Sequence, residues 1–289
     1  MPYESPAALR NALEARLQNE ARERGVRLDR LRRRAVFERL LVRLEVGGPG
    51  LWVLKGGTAL EVRWRERART TRDLDLALRE QLGSGRALRE LLIEELSHDP
   101  DGDGFRFEVA TPIPLADDEA GRPAWRMPVR AFLAGREFAA IRVDVVVRPE
   151  ELIVTERLPL PGALSFASFP LRDVEVAAPA QHFAEKLHAL TRRWPDRENT
   201  RVRDLVDLVM LIEDGRIEPG EARRIAGRVF TIRASHAIPE AIPDPPASWS
   251  ATYAMLAADL DIEATAITDA MACLRRFWSA AQAATDEGE

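Results

Sequence analysis

Lysine is almost missing from this 289-residue chain. Of its 42 basic residues only Lys55 and Lys186 are lysines, and the other 40 are arginines. A coding bias toward arginine explains the background but not where the two lysines sit. An ammonium is a compact point charge and a guanidinium a wide planar fork, so the two are not interchangeable. Cysteine is scarcer still. Cys273 stands alone, which excludes an internal disulfide and suits a reducing, cytoplasmic setting. No run approaches the roughly 18 apolar residues of a membrane span, so no membrane role is expected. The opening "MPYESPAALRNALEARL" carries charges inside a helical pattern and has no apolar h-region, so it does not read as a signal peptide. Histidines number four, and none has metal-type spacing to another His or Cys. The net charge of −5 gives no global attraction to nucleic acid. Such contacts would have to come from local basic patches.

What is present is a pattern of helices and strands. Residues 7–24 and 28–46 have helical periodicity, with Gly25 a stop between them and "GGPG" ending the second. "LWVLK" (51–55) reads as a buried strand, a helix is expected over 57–66, and "RDLDLAL" (72–78) alternates as a strand. A helix over 84–97 precedes three strand-like stretches, 105–113, 125–134 and 137–147. "AGR" (134–136) is the expected hairpin turn between the last two, and "DDEAGRP" (117–123) a loop. Residues 148–177, with four prolines, read as mostly irregular. From 178 on the patterns are helical: 178–193, 202–213, 218–232, 247–260 and 262–283. The expected architecture is an α/β N-terminal lobe (1–150), a linker (151–177) and an all-helical C-terminal lobe (178–289).

Chemistry concentrates in "LKGGTALEVRWRERARTTRDLDL" (54–76). On a strand, Asp73 and Asp75 point one way while Leu74 and Leu76 point into the core. Two carboxylates on one face repel unless a cation or solvent compensates, and Mg²⁺ takes one or two carboxylates plus nucleotide phosphates. A solvent-facing strand edge is the plain alternative. The upstream turn favours the metal. Gly56 and Gly57 let the backbone approach a phosphate at a helix start, and Thr58 can cap that helix or offer its hydroxyl. In "AIRVDVVVRP", Ile141, Val143, Val145 and Val147 form a core face, and Asp144 lies on the other with Arg142. A neighbouring strand could bring Asp144 beside the first two acids. Three carboxylates can hold two metals, one activating a hydroxyl and one shared with a triphosphate. A salt bridge from Asp144 to Arg142 or Arg148 is the alternative.

These residues resemble the AbiEii/AbiGii-type nucleotidyltransferase toxins, including the MenT-type tRNA nucleotidyltransferases, of the polymerase-β-like superfamily. "KGGTALEVRW…RTTRDLDL" is similar to their first motif, "VDV" around Asp144 to the second, "AEKLHAL" (184–190) to the third and "RVRDLVDL" (201–208) to the fourth. The likeness covers roughly residues 5–285. One departure is Gly-Gly-Thr where the superfamily often has Gly-Ser. The resemblance implies a nucleotidyltransferase core of mixed sheet and flanking helices. It implies catalytic roles for Asp73, Asp75, Asp144, Lys186 and Asp207, with the three strand acids as ligands of Mg²⁺ or Mn²⁺. Lys186 would reach the triphosphate across a cleft, needing little burial. Asp204 would orient a neighbour or pair with Arg201. Gly56, Gly57, Thr58, Thr71 and Lys186 would contact the NTP. The tRNA acceptor end would be the substrate and an antitoxin protein the partner. Thr71 matches a Ser or Thr that relatives use for inhibitory phosphorylation. Lys55 has no counterpart role beyond a structural or electrostatic one.

Basic stretches 63–72 and 192–203 flank the expected cleft, so Arg63, Arg65, Arg67, Arg69 and Arg72 are candidates for RNA backbone contacts. Two other readings stay open: nucleotidyl transfer to a small molecule or protein, and a non-catalytic nucleotide- or partner-binding protein.

Overall fold

The computed structural model describes residues 3–69, 71–115, 123–147, 149–260 and 262–286. Two helices open the chain, α1 (Pro6–Arg24) and α2 (Leu28–Gly47). Ser5 caps α1 by accepting from the Ala8 amide at 3.2 Å, and Gly25 ends it in the left-handed region at φ 63°. β1 (Trp52–Lys55) runs directly into α3 (Gly56–Trp64) and then β2 (Asp73–Leu78). There follow α4 (Gly85–Ser97), β3 (Phe105–Val109), β4 (Ile113–Pro114), β5 (Ala124–Leu133) and β6 (Arg136–Val147). Ala134 and Gly135, both at positive φ, make the two-residue turn between β5 and β6. The loop expected over 117–123 falls, apart from Pro123, outside the described residues, as does Arg148.

Residues 151–177 are not an irregular linker. They supply β7 (Thr155–Pro159) and β8 (Asp173–Ala177), and β8 pairs in parallel with β1. One mixed sheet results, in the order β3-β5-β6-β2-β1-β8-β7, with β4 added beside β5. The strands were hidden by their composition: "TERLP" and "DVEVA" lack a long apolar alternation and sit among prolines. The remaining described elements are helices: α5 (Pro179–Thr191), α6 (Val202–Glu213), α7 (Pro219–Arg233), α8 (Trp249–Asp259) and α9 (Ile267–Asp286).

Two large cores, with a small third cluster at Val53, Ala77 and Ala177, hold the described residues together. Leu74, Leu76, Leu78, Val143 and Val145 pack with α1, α2 and α4 on one sheet face. Leu187, Leu208, Val209, Ile225 and Trp278 are central to a second core built from α5 to α9. α3 serves both, with Ala59 and Val62 in the first and Leu60 in the second. The site lies where the sheet's other face meets α5 and α6.

Candidate active site

The sheet register assembles the acids. β2 and β6 are parallel neighbours, and Asp75 is the cross-strand partner of Asp144 while Asp73 faces Arg142. Residues paired this way share a face, so all three carboxylates occupy the face opposite Leu74, Leu76, Val143 and Val145. Asp75 also lies across from Lys55 of β1. Burial first, and then the Asp144 charge, push the Asp75 carboxyl up to about 6.

Two arginines occupy the carboxylates. Arg126 on β5 grips Asp144 with both ends of its fork, at 2.8 Å from Nε and 2.6 Å from Nη2. Arg142 Nε stands 2.6 Å from Asp73 Oδ1. Among the described residues the partner of Asp144 is thus Arg126 and not Arg142, and sequence reasoning missed it; Arg148 lies outside those residues. Among the described residues no three His, Cys, Asp or Glu side chains are gathered as a metal cage. The expected ligand triad is therefore a set of strand neighbours and not a closed cage. Its chemistry still fits a hard divalent cation, because the donors are carboxylate oxygens and burial beside Asp144 disfavours the Asp75 charge, which a cation would offset.

The strand-to-helix turn is forced by contact. Gly56 has φ +59°, and a Cβ there would stand 2.0 Å from Asp75 Oδ2. Gly57 has Thr71 as its neighbour, 3.0 Å from where a Cβ would be. Only hydrogen atoms fit between this turn and the acid face. Thr58 does not offer its hydroxyl outward or cap α3. It is buried and donates to the Asp73 carbonyl at 3.0 Å, tying the turn to β2. Thr71 lies just before β2, not on it. Its hydroxyl also donates to the Asp73 carbonyl, at 3.2 Å, while its side chain lines the cavity.

α5 and α6 supply the opposite wall. Lys186 is buried, not exposed as expected, and its Nζ lies 2.6 Å from Asp207 and 3.1 Å from Asp204. Burial disfavours its charge, but the two aspartates outweigh that and raise its pKa. Asp207 is fully buried and is held by Lys186 and by Arg69, which donates through Nε at 2.9 Å and Nη2 at 2.8 Å. Burial opposes its charge too, yet Lys186 and Arg69 keep its carboxyl below the usual range. Asp207 thus bridges Lys186 and Arg69, and of the two α6 aspartates it is Asp204, which also nears Arg201 at 3.7 Å, that lines the cavity. Lys55 bonds Glu185 of α5 at 2.9 Å, stitching β1 to the helices. Both lysines of the chain thus line the same cavity of about 360 Å³, with Gly56, Asp75 and Asp144.

An adjoining polar cavity of about 1000 Å³ opens outward past Asp73, Arg142, the loop 194–201 and the start of α6. The candidate RNA-contacting arginines separate here. Arg72 is exposed and Arg69 half-buried, and both line this cavity. Arg63 does not, because its side chain is buried on Glu156, the Ala177 carbonyl and His182. Arg65 is exposed on a different cavity, beside α1 and α2. Arg67 is exposed and lines neither site cavity.

The fold has counterparts. MenT4, a nucleotidyltransferase toxin of Mycobacterium tuberculosis, is 20% identical, with 93% of this chain and 89% of that one covered at a TM-score of 0.54. A structure described as a nucleotidyltransferase from H. pylori (16% identity, 88% and 94% covered, TM-score 0.40) and the Megavirus polyadenylate synthase (13%, 71% and 35%, 0.38) are looser likenesses that carry no argument. No curated protein sequence matches significantly. The family described as "Nucleotidyl transferase AbiEii toxin, Type IV TA system" matches residues 39–283, which span β1, all three strand acids, Lys186 and Asp207. The chain belongs to that family and is a nucleotidyltransferase toxin of the type IV toxin–antitoxin class.

Proposed function

We propose that this toxin transfers a nucleoside monophosphate from an NTP to the 3′ end of a tRNA, so that the tRNA is no longer aminoacylated and translation stops. It works in the cytoplasm with Mg²⁺ (or Mn²⁺) and under restraint by a cognate antitoxin. The observation that carries the reading is the pairing of Asp75 with Asp144, with Asp73 on the same face, across one cavity from Lys186. A divalent cation held by these three carboxylates would activate the attacking hydroxyl and offset triphosphate charge. The protein's own groups do the rest. The α3 N-terminus offers backbone N–H groups to phosphate where Gly56 and Gly57 line the cavity. Lys186 presents a point charge that Asp204 and Asp207 hold in place. Arg72, Arg201 and Arg203 line the outer cavity, where an RNA backbone needs neutralising.

The protein is incubated with labelled NTPs, Mg²⁺ and total RNA. Label entering the tRNA band, lost in Asp75→Asn, supports the proposal. Label entering only a protein or small-molecule fraction points to the alternative acceptors. No transfer with any NTP overturns it.

A further inference from the structure

The loop 192–201 joins α5, which carries Lys186, to α6, which carries Asp204. Its one aromatic residue, Trp194, is half-buried and lines the outer cavity. The Arg192 guanidinium carbon stands 3.8 Å from the Trp194 ring centre and that of Arg197 stands 4.1 Å away. Both arginines thus pack against the indole, and Trp194 and Arg197 together form part of the cavity wall. Guanidinium planes and indole rings are both surfaces on which nucleobases stack.

The loop is also fastened. The Asn199 amide donates to the carbonyls of Ala189, Leu190 and Arg192 at 3.2, 2.9 and 3.0 Å. Trp249 of α8 donates to the Asn199 carbonyl at 2.8 Å. Asn199 Oδ1 in turn accepts from the Arg201 amide at 2.8 Å. A stack held this way is pre-organised, so little ordering entropy is lost when a ligand meets it. The cavity it borders reaches Asp73 and Asp75 at its inner end. An acceptor whose terminal hydroxyl reaches those acids through this cavity runs beside the wall that Trp194 and Arg197 help to form.

From this geometry we infer that the Arg192–Trp194–Arg197 stack is a base-stacking platform for the unpaired 3′-terminal nucleotides of an RNA acceptor. It selects single-stranded ends over blunt duplex ends, because an unpaired base can leave its neighbours and stack inside the cavity, whereas a base at a blunt end is held in its pair. The inference rests on the RNA reading of the proposed function and adds the residue that recognises the acceptor end.

The test uses a labelled RNA hairpin with a four-nucleotide unpaired 3′ tail, made 3′-deoxy so that it cannot react, and the same hairpin ended blunt. Fluorescence anisotropy with the full chain reads affinity. The wild-type protein should prefer the tailed hairpin. Trp194→Ala should weaken tailed binding by about fivefold or more, the loss of one stacked base, and bring it to the blunt level. Trp194→Phe should keep most of the preference. Trp194→Leu, which fills the space without a π face, should behave as the alanine variant, and it carries the comparison if Trp194→Ala fails to show a folded thermal transition. The salt slope should be unchanged in all three, because no phosphate contact is removed. A wild-type preference that survives both Trp194→Ala and Trp194→Leu overturns the platform and leaves the RNA reading standing. Equal wild-type affinity for the two hairpins overturns the platform as well. A wild-type protein that binds neither hairpin sinks the platform and the RNA reading together.

Discussion

At the residue scale the charges decide more than their count suggests. His188 sits under Phe230 and His236, with Arg233 Nη1 at 3.3 Å from its Nδ1 and Ser235 at 2.8 Å from its Nε2. Burial, and then the Arg233 charge, push its pKa down to about 3. The unfolded chain takes up this proton below about pH 6.5, and the folded chain does not until about pH 3. Stability from this group is therefore complete above 6.5 and is lost as pH falls toward 3. Its slope reaches about 1.4 kcal/mol per pH unit inside that window. Urea unfolding between pH 4.5 and 7 should show a shallower pH dependence for His188→Gln than for the wild type, and equal slopes would count against a neutral buried imidazole. Thr71 is the second case at this scale. A negative charge there would lie at the cavity wall beside the Asp73 backbone, close to three carboxylates. Thr71→Asp should weaken NTP binding by about tenfold or more in calorimetry, mimicking the −1.5 to −2 charge of a phosphate only in part. Thr71→Val loses one hydrogen bond to the Asp73 carbonyl and should keep most activity. Normal NTP affinity in the Asp variant would remove the electrostatic basis for an off-switch.

At the element scale the β1–α3 turn and the β5–β6 hairpin set the site. The turn depends on Gly56, whose positive φ and contact with Asp75 leave no space for a methyl group. Gly56→Ala has to displace the Asp75 carboxylate or flatten the turn. We expect a folded protein, destabilised by about 1–2 kcal/mol, with transfer reduced at least a hundredfold. A variant within threefold of wild-type activity would show that Asp75 is not held by this contact. The hairpin explains why Arg126 escaped the sequence reading. Counting back from the two-residue turn pairs Leu133 with Arg136 and Phe132 with Glu137, and would carry Arg126 to Val143 on the core face. A register shift between Ala131 and Phe132 moves the pairing by one residue, so Arg126 faces Asp144. One extra residue in a strand switches faces for everything beyond it, and no local pattern around Phe138 announces it.

For the whole molecule, the decisive contacts are those between the sheet and the C-terminal helices. Arg63 of α3 bonds Glu156 of β7, the Ala177 carbonyl of β8 and His182 of α5. Removing it leaves the buried Ala177 carbonyl and His182 unsatisfied, so Arg63→Ala should cost about 2 kcal/mol in denaturant unfolding while leaving the salt slope of RNA binding unchanged. Arg72→Gln and Arg203→Gln should do the reverse, each flattening that slope by about one unit with little change in stability. A flattened slope in a folded Arg63→Ala variant would return that arginine to the RNA surface. Lys186→Ala should also destabilise by about 3 kcal/mol, because Asp207 would be left buried with Arg69 alone.

Local pattern was enough for much of this protein. The period-2 alternation of β2 and β6 put Asp73, Asp75 and Asp144 on a face away from the core, because successive side chains on a strand must point opposite ways. Gly-Gly between a strand and a helix marked a close backbone approach, and the helical periods from 178 onward placed Lys186, Asp204 and Asp207 on two successive helices. Tertiary structure decided what spacing cannot carry. It paired β2 with β6, turned the proline-rich 151–177 segment into two sheet strands, set Arg126 and Arg142 on the acids, and buried Lys186 between two aspartates. It also separated Arg63, inside the molecule, from Arg72 at the cavity. Those outcomes depend on which distant surfaces meet, and a charged side chain has the same local signature whether its partner is water or a carboxylate a hundred residues away.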